Sequence, residues 1–125
     1  MKKSLISISF LVFMAGCGPA TIQGLRDNPA GVVTFEVDSN YQVVYRKVIT
    51  QARSRHQGQL MFVNGDCFLD QPEANIIVHY SAVYLGIDIK AISDNRTKVT
   101  TYYAFNAWKN AALEVQQWCT DLNSQ

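Results

Sequence analysis

The chain reads as an α+β two-layer sandwich: one antiparallel sheet of about four to five strands, with two helices packed on one of its faces. Three observations predict this. An apolar stripe of helical period runs through residues 41–52, and a second runs through residues 108–122. Between them lie short runs rich in Ile, Val and Tyr, bounded by turn residues. Strands in series with helices at the flanks favour segregated layers over alternating βαβ units.

The elements follow in order. Residues 32–37 alternate, with Val33, Phe35 and Val37 on one face, the pattern of a half-buried strand. Ser39 and Gln42 fit a capping box opening a helix. Its apolar positions are Tyr41, Val44, Tyr45, Val48, Ile49 and Ala52, which share one helical face. Arg46, Lys47, Arg53, Arg55 and His56 crowd its second half, favourable to the carbonyl pole, and Gly58 stops it. Residues 60–63 are short and apolar. Asn64-Gly65 then carries a type I′ turn signal, so residues 67–69 are expected to pair back across it, in a small hairpin or a packed loop. Pro72 breaks the chain. Residues 76–84 are strand-like, Gly86 separates them from an alternating run at 87–92, and residues 93–96 form a turn. Residues 97–105 place Val99, Thr101, Tyr103 and Phe105 on one face. These segments read as an antiparallel meander. Asn106 caps a last helix striped by Trp108, Ala111, Ala112, Val115, Trp118, Cys119 and Leu122.

The first eighteen residues have a different character. Lys2 and Lys3 precede an apolar run from Leu5 to Met14, and Met14-Ala15-Gly16-Cys17 follows. A positive start, an apolar core and small residues form a secretory signal. With cysteine next, the arrangement resembles the bacterial lipobox, with Met14 where leucine is usual. The resemblance implies a diacylglyceryl thioether on Cys17, cleavage before it and acylation of the new amino terminus. An ordinary cleaved signal and a transmembrane anchor are the competing readings. The apolar run is about half of the roughly 20 residues that a span needs. The expected organisation is a signal peptide over 1–16, a lipidated Cys17 with a flexible tether over 17–31, and one periplasmic domain over 32–125. The tether rests on two prolines, three glycines and no periodicity in residues 18–31. Packing of Ile22 and Leu25 on the domain is the alternative.

The coarse element order is similar to the helix-grip domains of some outer-membrane assembly lipoproteins. The lipobox, Tyr41-x-x-Val44-Tyr45-Arg46, the runs at 87–90 and 97–100, and Trp118-Cys119 also resemble small proteobacterial lipoproteins without an assigned activity. Gly18, rather than aspartate, after the lipidated residue implies outer-membrane sorting, with the domain facing the periplasm or the cell surface. The resemblance carries no catalytic residue.

Removing Lys2 and Lys3 with the leader takes the formal charge from +1 to −1. A near-neutral chain lacks the basic excess expected of a nucleic-acid binder. Cys67 and Cys119 remain once Cys17 is assigned to lipid. An even pair in an exported domain suggests a disulfide; two buried thiols are the other reading. Candidate chemistry is sparse. A Cys67–His79 pair oriented by Asp70, and a zinc site from Cys67, Cys119, His56 and His79, have suitable residue types but no supporting spacing. No catalytic, metal or cofactor site is therefore assigned. Tyr80, Tyr84 and Tyr102 form the candidate binding face, because tyrosine joins an apolar body to a polar tip; packing of these residues against helix ends and sheet edges is the other reading. The expected function is a non-enzymatic, lipid-anchored protein that binds another envelope component, such as a protein complex. The alternatives are a small envelope enzyme or ligand carrier, or a disulfide-bearing stress or surface sensor.

Overall fold

The computed structural model describes residues 18–124; the signal peptide and Cys17 lie outside the described residues. Five strands form one antiparallel sheet: β1 (Gly31–Val37), β2 (Phe62–Phe68), β3 (Glu73–His79), β4 (Val83–Ser93) and β5 (Arg96–Tyr103). Their spatial order is β1-β5-β4-β3-β2, so β1 joins the far side of the meander and β5 becomes interior. Helix α1 (Ile22–Asp27) precedes β1, α2 (Tyr41–His56) joins β1 to β2, and α3 (Lys109–Trp118) follows β5. The α+β sandwich expected from the sequence is the observed architecture.

The period-2 pattern builds one apolar face. Val37, Val99, Ile89, Ile87, Leu85, Ile76, Val78 and Val63 all point into it and are buried. Against them α2 lays Tyr41, Val44, Val48, Ile49 and Ala52, and α3 lays Ala112 and Val115. Burying each Val, Leu or Ile contributes about 1.5–3 kcal/mol, so this face supplies most of the driving force. Helix α2 covers β2, β3 and β4, while α3 covers β1 and β5. The α2 cap is Asn40, whose side chain accepts the Gln42 N–H at 2.9 Å, in place of the expected Ser39.

The region expected to be a tether is instead folded. Thr21 caps α1 by accepting the Gly24 N–H, and Leu25 is fully buried on the opposite face of the sheet. The reason is steric. Gly86 lies within β4, where a Cβ would come 3.2 Å from both Ile22 and Leu25, so its bare backbone is the seat for α1. Backbone bonds fix both flanks of α1: Val83 N–H donates to the Pro19 carbonyl at 2.9 Å, and Ala30 N–H to that of Tyr103 at 2.8 Å.

Two other expectations are corrected. Asn64-Gly65 is no turn; both residues lie inside β2, which pairs with β3 over its whole length. The connection falls at residues 69–72, before Glu73. Gly65 is there because α2 presses on it: an added Cβ would meet Ile49 at 2.6 Å and Tyr45 at 2.7 Å. Residues 76–84 are not one strand either. The chain turns at 80–82, with Tyr80 N–H donating to the Ala82 carbonyl at 3.1 Å.

Candidate functional site

The sheet has one thickly covered face and one thinly covered face. The register assigns residues to the second row by row. Glu36, Lys98, Lys90 and Glu73 lie side by side across β1, β5, β4 and β3. Thr34, Thr100, Asp88 and Asn75 make the next row, and Val32, Tyr102, Gly86 and Ile77 the one after. Among the described residues, only the six-residue α1 lies on this face, seated on β4 and β5. Beside α1 a groove of about 290 Å³ opens, lined by Gln23, Arg26, Glu73, Ala74, Asn75, Asp88, Lys90 and Tyr102. A shallower recess of about 150 Å³ continues it to Lys98 and Thr100.

One ion pair organises the groove. Arg26 reaches down from α1 and grips Asp88 with both arms, Nε to Oδ2 at 2.8 Å and the second guanidinium nitrogen to Oδ1 at 2.6 Å. Two parallel charge-assisted bonds fix angle as well as distance. The hydrogen bond to Asp88 raises the Arg26 pKa, against the opposing effect of burial. Lys90 and Lys98 are directly opposite each other on β4 and β5 and both are exposed. Like charges facing across a ladder oppose stability. Glu73 neighbours Lys90 and Glu36 neighbours Lys98 in the register, and Arg96 holds the Glu36 carboxylate at 2.5 Å. The row runs acid, base, base, acid, a polar strip suited to a charged or hydrogen-bonding partner segment.

The three candidate tyrosines are not brought together as one surface. Tyr102 lines the groove. Tyr80 lies in the β3–β4 turn and is 54% exposed. Tyr84 stacks on Trp108 with centroids 5.4 Å apart, and its hydroxyl bonds the Ser81 hydroxyl at 2.7 Å. The turn at 80–82 moves Tyr80 off the strand that was expected to present it beside Tyr84. Sequence reading missed Arg26 and Asp88, 62 positions apart, because a local pattern cannot reveal a pair of that separation. An isolated aspartate within the apolar run at 87–92 was the available signal.

Cys67 and Cys119 are free thiols, which corrects the expected disulfide. Cys67 stands on the edge strand β2 against Gln42, Tyr45 and Arg46 of α2. Cys119 follows α3 near Phe35 and Glu36 of β1, the opposite edge. Helix α2 lies between them. Burial pushes the Cys119 thiol up to about 12. The Cys67–His79 pair is likewise not assembled. Cys67 aligns with Ala74 on the covered face, while His79 aligns with Phe62 at the other end of β2 and on the other face. His79 Nε2 is 2.6 Å from the Asn64 amide. His56 packs on Trp108 and Trp118 instead. Among the described residues no three His, Cys, Asp or Glu side chains gather as a metal site. No described helix is long and apolar enough to cross a membrane. Compared with known proteins, the chain matches no family model and no curated sequence.

Proposed function

We propose that this is a lipid-anchored envelope protein, held by an acylated Cys17, whose domain binds another envelope component through the thinly covered sheet face. The anchoring part rests on the leader: Lys2 and Lys3, the apolar core, and small residues before cysteine. The observation that carries the binding part is the groove beside α1. It joins Tyr102, Lys90 and Lys98 to the fixed Arg26–Asp88 pair on a face that no long helix covers among the described residues. An extended partner segment laid along this strip meets donors, acceptors and an aromatic body at strand spacing. We place the protein at the outer membrane, with the domain on the periplasmic side, on the strength of Gly18 after the lipid site.

Site-specific crosslinking tests the binding part. A photoreactive residue in place of Tyr102, in the full chain expressed in its own envelope, is expected to give a discrete protein adduct. The same residue in place of the exposed Leu113 on α3 is expected to give none. Lys90→Glu with Lys98→Glu is expected to abolish the Tyr102 adduct. Recovery of only the uncrosslinked monomer from every position contradicts the proposal.

A further inference from the structure

The two ends of the sheet differ in charge, and the described chain enters at one of them. At the entry end lie the connections 18–21, 28–30, 57–61, 80–82 and 104–108. They contain no Asp, Glu, Lys or Arg. At the opposite end lie the connections 38–40, 69–72 and 94–95 and the short helical segment Thr120–Ser124 that follows α3. Each of these carries an aspartate: Asp38, Asp70, Asp94 and Asp121. The neutral end is also aromatic and apolar at its surface: Leu60 is 70% exposed, Tyr80 54%, Phe62 42% and Phe105 41%. Phe62 and Tyr80 stack with centroids 6.2 Å apart, and Phe105 leans on Tyr84 at 6.1 Å. The acidic end exposes apolar residues as well, Leu69 among them, so exposure alone does not choose between the ends.

Two facts do choose. The first is the position of Gly18, whose missing Cβ would sit 3.1 Å from Phe105 and 3.3 Å from Ala82. The chain therefore leaves the domain in the middle of the neutral end. The second is the absence of slack, since the Pro19 carbonyl is already bonded to Val83 N–H. Adjacent Cα atoms are about 3.8 Å apart across a trans peptide, so lipid on residue 17 leaves no free chain between bilayer and domain.

We infer that the neutral end is a membrane-contact surface, on which the domain stands directly against the bilayer that holds its lipid, with the strands rising from the membrane and the aspartate-tipped end facing away. The inference rests on the anchoring reading above. The chemistry agrees at each point. Tyr and Trp favour the headgroup level, where an apolar ring and a polar tip are both satisfied. Uncharged loops lose less on partial dehydration than an aspartate, which sheds its hydration and meets anionic headgroups. Arg53 in the last turn of α2 and Lys109 at the start of α3 flank the neutral end, placed to reach lipid phosphate. In this pose the groove beside α1 opens sideways, parallel to the membrane.

Photocrosslinking to lipid tests the pose. In the full chain, p-benzoylphenylalanine replaces Tyr80, Phe105 or Leu69 in turn, and irradiated membranes are analysed for phospholipid adducts. Adducts at Tyr80 and Phe105 with none at Leu69 are expected. The N-terminal peptide and membrane flotation are read from the same samples. A chain that carries the Cys17 thioether and floats, yet labels Leu69 as strongly as Tyr80 or labels no site, overturns the pose alone. A chain without the thioether that stays off the membrane overturns the anchoring reading and the pose with it.

Discussion

Cys119 sits under α3 with almost no exposure, and its thiol is held in the protonated form by the apolar surroundings. Cys67, on the edge strand β2, is only half-buried. Alkylation needs reagent access, so Cys67 is expected to alkylate in the native protein and Cys119 only on unfolding, as peptide mapping after maleimide treatment will report. His56 supplies a pH dependence. Its ring is wedged against Trp108 and Trp118, its Nε2 is buried with no hydrogen-bond partner among the described residues, and burial lowers its pKa below the ordinary 6.5. Below that ordinary value the unfolded chain takes up a proton that the folded ring resists. Stability present above pH 6.5 is therefore lost as pH falls towards the depressed value. The melting temperature is expected to drop between about pH 7.5 and pH 5.5, and the contribution from His56 to disappear in His56→Gln. Arg26 and Asp88 make a third case. Arg26→Ala leaves a buried carboxylate without its main partner and is expected to cost about 1–3 kcal/mol in urea unfolding, more than Asp88→Asn, which keeps an acceptor for the guanidinium.

Among the elements, α1 is a short one whose seat is a single missing side chain. Gly86→Val puts a branched side chain where Ile22 and Leu25 now rest. Overpacking of this kind costs about 1–3 kcal/mol. Hydrogen exchange is expected to show the amides of Gly24 and Leu25 losing protection while β4 and β5 keep theirs. The long elements were legible in the sequence because each carries a complete period. The stripe from Tyr41 to Ala52 is the buried side of α2, and the alternation of Val33, Phe35 and Val37 is β1. What escaped was set by distant partners. Gly65 looks like a turn glycine locally, but it is a landing place for Tyr45 and Ile49. Gly86 looks like a break between strands, but it is the floor beneath α1. Residues 18–31 lack periodicity because a six-residue helix is too short to show one, and its cap at Thr21 was not read. The groove escaped with α1, since Arg26 and Gln23 form one side of its wall. The thiol pair failed for a related reason: the count of cysteines carries no information on the helix standing between them.

At the scale of the molecule, the distribution of charge along the strands gives the fold a direction that net charge conceals. A formal charge near zero is composed of a neutral aromatic end, an open face bearing both signs and an end tipped by four aspartates. With lipid at Cys17 this direction becomes an orientation. The neutral end meets the bilayer, the open face stays accessible from the side, and a partner bound there lies close to the membrane. Each of these statements depends on the sulfur one residue before the folded domain. Mass spectrometry of the N-terminal peptide from the protein purified out of its own membranes tests it most directly. The account predicts a peptide beginning at Cys17 with a diacylglyceryl thioether and an acylated amine; a peptide with an unmodified Cys17 thiol, or one still preceded by residues 1–16, contradicts it.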